Sequence, residues 1–446
     1  MQAIGVIGSL VAIAFLIFSV YKGYHIAYMA VICSIIVVVT NQMSFIDTLT
    51  STYITGFANC ANVVWYFVFG LIMSEMYGKS GAGKSIARII LKIAGKKNAS
   101  LFKKRVVGII AVFVIGVLML LLGFASNALP FLLLPIVTSI FAECDIPRRF
   151  MPGLLLGTAA TIGNCLPGTP QSVNQICSTL LGTTGTAALV PGIVGAIVVA
   201  AGIVVYMNWA IARASKKGEH FEYGPLPQQS EEESEKKGPN IILALLPLVF
   251  IFVAYNFFGL HLYICLLIAC VACIFLFWPY YEGGVKQLKS YLGTTMTRAG
   301  SMCLVAGSFM GFSAVFQAAP SFEVMMNGLT NMTASSYVLA LFLLLLSMGF
   351  MAFIAGSAPT ALQTGIPIFA PIYEAAGVSA AAIHRVAAFA TTTFDTLPTN
   401  TGIIFIMDMC GVSMKDGYKT VGVNTVVCTF IGSLVVALLC MIPGLA

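Results

Sequence analysis

The sequence predicts an all-α polytopic membrane protein made of two inverted repeats, each with a re-entrant hairpin and a broken helix. Three observations predict it. Of 446 residues, 59% are apolar and only 9% are charged, against ~25% charged in an ordinary soluble domain. Basic residues fall almost wholly on one side of the membrane when the chain is threaded through it. Two matched pairs of polar, helix-breaking segments recur in the two halves.

The apolar runs are continuous, unlike the alternating ~10-residue strands of a membrane barrel. They fall at 3–20, 25–40, 61–77, 106–125, 127–143, 150–183 and 187–211. After a polar segment they resume at 241–258, 261–279, 297–316, 335–355, 359–375, 381–412 and 420–443. A spanning helix needs ~20 residues, so the shorter runs read as re-entrant or broken. Lys22 follows the first apolar run instead of preceding it, so that run reads as a retained helix and not a cleaved signal. With the N-terminus outside, 22 of the 23 basic residues lie inside, and Arg385 alone lies outside. The reverse orientation breaks the positive-inside rule almost everywhere. Both termini are therefore expected outside a cytoplasmic (inner) membrane. The +7 net charge then belongs to the cytoplasmic face and calls for no nucleic-acid partner.

The segment 213–240 carries Glu231-Glu232-Glu233, Pro225 and Pro227 and reads as a solvated cytoplasmic linker. It divides the chain into a first transmembrane repeat, 1–212, and a second, 241–446. Ala160–Pro170 aligns with Thr391–Thr401 through the shared steps Leu166-Pro167 and Leu397-Pro398. Upstream, Pro135-Ile136 matches Pro367-Ile368, and Ala125-Ser126-Asn127 matches Gly356-Ser357-Ala358. On this topology the halves enter from opposite sides, the signature of a secondary transporter.

Four breaks therefore sit at membrane depth: Ala125–Asn127, Leu166–Gln171, Ala355–Thr360 and Asp395–Gly402. Proline removes a backbone donor and glycine permits an open turn. Such breaks survive in lipid only where protein or a wet cavity surrounds them. Half-helix N-termini there favour anions. The substrate-binding candidates are Ser126, Asn127, Thr169, Gln171, Ser357, Thr360, Thr399, Asn400 and Thr401. Asp395 lies at a break with no basic residue within a turn. An intramembrane carboxylate of that kind is the candidate carrier of a coupling proton, with a neutral, hydrogen-bonded structural role as the alternative. Arg385 is either an outer anion-steering group or the hairpin-base partner of Glu374. Glu143 and Asp145 are expected to pair with Arg148 and Arg149 at the base of the first hairpin, and Glu75 with Lys79.

The chain resembles the gluconate permease (GntP) family of the ion transporter superfamily. The resemblance rests on Ser80-Gly-Ala-Gly-Lys-Ser-Ile-Ala87, on Leu166-Pro-Gly-Thr-Pro-Gln171, and on Asp395-Thr-Leu-Pro398 with Gly402 and Cys410-Gly-Val412. Where relatives favour His after Asp-Thr-Leu-Pro, this chain has Thr399. The resemblance implies two inverted units, a homodimer, and proton symport of a small organic anion such as gluconate or 3-hydroxybutyrate. A sodium-coupled carboxylate carrier, and a channel or receptor without accumulation, stay open as alternatives. No enzyme activity, cofactor or metal site is expected. The twelve cysteines are scattered, and Cys270-x-x-Cys273 lacks further ligands nearby. Gly78–Ser85 matches the nucleotide-binding pattern G-x-x-x-x-G-K-S. That loop needs a strand before it and a nucleotide domain around it, and here an apolar helix precedes it.

Two outcomes follow from the sequence. A cysteine introduced at Asn331 is labelled from outside and one at Ser234 from inside by an impermeant reagent; reversed labelling overturns the topology. Lys84→Ala transports at near the unmodified rate, and equilibrium dialysis detects no saturable ATP binding.

Overall fold

The computed structural model describes residues 2–22, 24–83, 85–86, 101–121, 126, 129–169, 171–222, 238–256, 258, 260–281, 284–330, 336–398 and 400–446. These residues form helices joined by turns and short irregular segments, with no strand among them. Among the described residues, five helices are long and apolar enough to cross a membrane: Gln2–Val20, Leu189–Lys216, Leu288–Ala318, Tyr337–Ala355 and Met414–Leu439. They carry large exposed apolar residues such as Ile4, Val205 and Leu346, as a lipid-facing surface requires. The helix Leu189–Lys216 extends four residues past the expected end of the first half at 212.

The first hairpin pairs Leu101–Leu121 with Leu129–Glu143. Its arms run antiparallel: a side chain at Gly108 would strike Ile140, and one at Gly116 would crowd Leu133. The base is tied by Arg105. Its Nε donates to the Cys144 carbonyl at 3.1 Å, and its Nη2 donates to the Asp145 carbonyl at 2.7 Å and Oδ2 at 3.0 Å. Burial pulls the Asp145 carboxyl up, but the Phe221 N–H, His220 and Arg105 together outweigh it and hold it below the ordinary range. The expected pairing at this base is corrected accordingly. Asp145 bonds Arg105 and His220, Arg149 forks onto Glu219 at 2.6 and 3.0 Å, and Arg148 donates to the Cys410 carbonyl. The Glu75 side chain lies outside the described residues, and Lys79 sits 4.9 Å from the Tyr291 ring centroid.

The second hairpin pairs Tyr337–Ala355 with Ala358–Ala375. Its turn shows local sequence logic. Gly356 takes φ +59, a left-handed conformation that closes the first arm by donating its N–H to the Ala352 carbonyl at 2.9 Å. Ser357 is extended and starts the second arm, and Pro359 occupies its first turn. The arm Tyr337–Ala355 is itself long and apolar enough to span a bilayer, longer than a half-depth arm needs to be.

Each hairpin faces a broken helix. The first runs from Met151 through a π-helical stretch, Gly157–Ile162, to Cys165, and resumes at Ser172–Leu181. The second runs Ala380–Phe394 and resumes at Thr401–Met409. Beyond the second, Met414–Leu439 contains its own π-helical stretch, Gly422–Val427.

The sequence halves are interlaced. Gln2–Tyr21 and Ile26–Thr40 build a separate apolar cluster with Val305–Ala319 of the second half. In return, Leu262–Leu276 packs on Ala61–Ser80 of the first, where Cys270 Sγ donates to the Phe69 carbonyl at 3.2 Å. Leu189–Lys216 meets Cys428–Leu439 through small residues. A Cβ on Gly432 would lie 2.4 Å from Val199 Cγ2 and 3.2 Å from the Gly195 carbonyl oxygen. Such close backbone approach drives helix association where lipid supplies no hydrophobic force.

The nucleotide-loop match lies at a helix end. Ala61–Ser80 closes on Gly81 at φ +73, with no strand before it. Gly81 is pressed against Gly238 at the end of the linker. Lys84 lies outside the described residues.

Arg385 overturns both of its expected roles. It is fully buried and makes no bond to Glu374, which is exposed. Its Nε donates to the Ala187 carbonyl at 3.1 Å, and its Nη2 to the Gly185 and Ala187 carbonyls at 2.9 and 2.8 Å. Its Nη1 reaches the Cys165 carbonyl at 3.4 Å and Asn174 Oδ1 at 3.1 Å. Only a planar five-donor fork can reach this set. Arg385→Ala leaves several buried carbonyls without donors and costs roughly 3 kcal/mol or more, read as a lower apparent melting temperature in detergent. Arg385→Lys recovers only part, and Glu374→Gln changes nothing; a loss with Glu374→Gln equal to that with Arg385→Ala restores the surface-pair reading.

Candidate functional site

Each hairpin tip is bonded to the break in its own half. In the first half, the backbone N–H of Ser126 donates to Gln171 Oε1 at 2.9 Å, and Gln171 Nε2 reaches the Leu120 carbonyl at 3.5 Å. In the second, the Ala358 N–H donates to Asp395 Oδ2 at 3.3 Å. Asn400 Nδ2 donates to the Gly356 carbonyl at 2.8 Å and also to the Asp395 carbonyl. Asn400 Oδ1 in turn accepts from Gly402 N at 2.7 Å and caps Thr401–Met409. The structure therefore joins Ser126 to Gln171, and Asp395 and Asn400 to the tip beside Ser357.

Local chemistry explains the first break. Leu166 turns extended at ψ 123 before Pro167, and Gly168 takes φ +76. Thr169, almost fully buried, donates to the Gly163 carbonyl at 2.8 Å and the Leu166 carbonyl at 2.9 Å. Asn174 Nδ2 donates to Thr169 Oγ1 at 2.8 Å and to the Leu166 carbonyl at 3.1 Å. Proline and the chain turn had stripped these carbonyls of helical donors, and two side chains replace them. Thr169 is thus engaged in holding the break.

Ser357 and Thr360 form a local pair, with Thr360 Oγ1 donating to Ser357 Oγ at 3.2 Å. Asn127 and Thr399 lie outside the described residues, as does the Thr401 side chain. The Thr401 backbone opens a helix, so its N-terminal end faces the second break.

Asp395 stands apart electrostatically. It is 8% exposed, and no cationic side chain bonds it among the described residues. Its Oδ1 is buried with no hydrogen-bond partner. Asn164, which aligns with it in the sequence, also has a buried, unpartnered Oδ1. Orphaned acceptors of this kind are uncommon in folded interiors, and Asn424 Oδ1 is a third among the described residues.

Three groups escaped the sequence-based candidate set. Asn164 is marked in the sequence only by its alignment with Asp395. Asn174 and His384 carry no local signal. Asn174 Oδ1 accepts from Arg385 and lies 3.3 Å from His384 Nε2, while His384 Nδ1 lies 2.7 Å from Thr183 Oγ1. His384 is fully buried among these neutral partners.

The comparisons agree with a membrane transporter. One curated relative, an uncharacterized transporter named YxjC from Bacillus subtilis (strain 168), is 24% identical over 464 aligned residues, covering 94% of this chain and 95% of that protein. A solved structure, the YdaH transporter of Alcanivorax borkumensis, shares 13% identity over 88% of this chain and 87% of its own, with a TM-score of 0.36. At that score the likeness is too weak to define the fold. The family model described as GntP family permease matches residues 4–442, and so this multi-pass membrane chain belongs to the GntP permease family.

Proposed function

We propose that this permease is a secondary active transporter, a proton symporter for a small organic anion of the hydroxycarboxylate class such as gluconate or 3-hydroxybutyrate. The observation that carries the reading is Asp395. It is a buried carboxylate with one oxygen on a hairpin-tip N–H, the other unpartnered, and no bonded cation among the described residues. Losing and regaining a proton changes its charge at a point where hairpin and broken helix touch. Deprotonation strengthens its bond to the Ala358 N–H, and protonation weakens it. Occupancy by a proton is thereby linked to the contact between the two moving parts.

The anion would sit between the tips and the breaks, near Ser126, Asn127, Ser357, Thr360, Thr399 and Thr401. Three helix N-termini begin there, at Ser172, Ala358 and Thr401, and their positive ends favour a carboxylate. Thr169, Gln171 and Asn400 hold the breaks open around it. Two inverted units, a homodimer and an inner-membrane location with both termini outside complete the reading, on the charge placement and the internal repeat.

A sodium-coupled reading has one observation of its own. The unpartnered Oδ1 atoms of Asn164 and Asp395, one neutral and one ionisable, are hard oxygen ligands of the sort sodium takes. Replacing sodium by choline at fixed pH separates the two: proton symport is unaffected, sodium symport stops.

Asp395→Asn folds and reaches the membrane, because removing a carboxylate with no bonded cation costs little. It retains exchange of labelled substrate between equal concentrations, and it loses accumulation driven by an inward proton gradient in proteoliposomes. Asp395→Glu keeps part of the accumulation with a shifted pH profile. Full accumulation by Asp395→Asn with an unchanged profile assigns coupling elsewhere. A channel would show no accumulation in any of these variants or in the unmodified protein.

A further inference from the structure

On the face that the sequence places inside, a cavity of about 180 Å³ opens between the start of the first broken helix, the end of Leu189–Lys216 and the segment Met414–Val421. Arg149, Arg213, Lys217 and Lys419 line it, together with Tyr206 and Trp209. The only carboxylate bonded to these cations among the described residues is Glu219, which takes Arg149 alone. Arg213 stacks on Trp209 at 5.6 Å from the ring centroid. Lys217 and Lys419 have no carboxylate partner among the described residues. Neither the breaks nor Asp395 lie in this cavity.

A soluble anion and an anionic lipid headgroup offer the same phosphate chemistry to such a cluster. The surface beside the cavity selects between them. Ile197, Ala201, Val205, Trp209 and Arg213 are exposed at every fourth residue of one helix. Ile197, Val205 and Trp209 are 61%, 68% and 55% exposed. This apolar stripe runs along the helix face and ends, one turn past an interfacial tryptophan, in a guanidinium at the cavity mouth. A molecule that is apolar along the stripe and phosphate-bearing at the mouth matches both.

We propose that this cavity binds the phosphate of an anionic phospholipid, whose acyl chains lie along the stripe ending at Trp209. The lipid phosphate would bridge Arg213 and Lys217, where the last helix of the first half runs into the linker, to Lys419 of the second half. It would thus tie together the cytoplasmic ends of the two halves at a place separate from the transport site.

The test uses the full chain in detergent micelles, with Trp65→Phe and Trp278→Phe leaving Trp209 as the sole tryptophan of the three. Brominated phosphatidylglycerol is compared with brominated phosphatidylcholine as a quencher of Trp209. The expected result is quenching at roughly tenfold lower mole fraction of the anionic lipid, falling to within about twofold after Lys217→Gln with Lys419→Gln. The single changes Lys217→Gln and Lys419→Gln each remove part of the preference, which keeps the test valid if the pair does not fold. Lys22→Gln, the same charge removed elsewhere, leaves the preference intact. Equal quenching by the two lipids in the unmodified protein overturns the proposal. So does saturable binding of inorganic phosphate that abolishes the preference, which assigns the cavity to a soluble anion.

Discussion

The structure depends on how carbonyls and N–H groups released at helix breaks find partners away from water. In lipid each unpaired group costs several kcal/mol, so breaks survive only where side chains from elsewhere supply what the helix withholds. Thr169 and Asn174 do this for Gly163 and Leu166. Asn400 does it for Gly356 and Asp395. Arg385 does it for Cys165 and for the strip from Gly185 to Ala187. Asp395 Oδ1 and Asn164 Oδ1 are left out of this satisfaction. They share that state with Asn424 Oδ1, Arg148 Nη1, Thr429 Oγ1 and Tyr53 Oη among the described residues, but only Asp395 among these groups is a carboxylate.

The two halves hold each other through arginines at the starts of their broken helices. Arg148, in the first, donates to the Cys410 carbonyl in the second. Arg385, in the second, donates to carbonyls of the first. Each guanidinium neutralises the partial negative charge of exposed carbonyls. Neither forms a salt bridge among the described residues. A charge balanced by carbonyl dipoles avoids pairing two buried ions, whose desolvation rivals their attraction. The same halves are interlaced by their outer helices, since Gln2–Thr40 rests on the second half and Leu262–Leu276 on the first. A change at one break therefore has a path to the other half through packed helices and shared hydrogen bonds.

A permease must bind its cargo and then release it. The first hairpin tip meets its break through one bond, Ser126 to Gln171, and the second through two, Ala358 to Asp395 and Asn400 to the Gly356 carbonyl. By contrast the hairpin base at Arg105 and the clamp at Arg385 use several bonds each.

The sequence by itself determined the membrane class, the breaks at Leu166–Gln171, Ala355–Thr360 and Asp395–Gly402, and the absence of a neighbouring basic residue at Asp395. Those properties are local: proline lacks a donor, glycine permits φ above zero, and 59% apolar residues cannot dissolve. Even the turn at Gly356-Ser357-Ala358-Pro359 reads directly from its residue types. Only the tertiary structure decided which partners the released groups would take. From sequence alone Arg385 looks like an outer surface charge, because its neighbours in sequence say nothing of Gly185 or Ala187, about two hundred positions away. Asp145 was assigned to the arginines beside it, yet Arg105 on the opposite arm wins, since the hairpin brings that guanidinium to its carbonyl and carboxylate together. Asn174 and His384 were invisible for the same reason. A polar residue on a helix becomes a site or a strut according to what packs against it, and in this chain that packing joins segments from opposite halves.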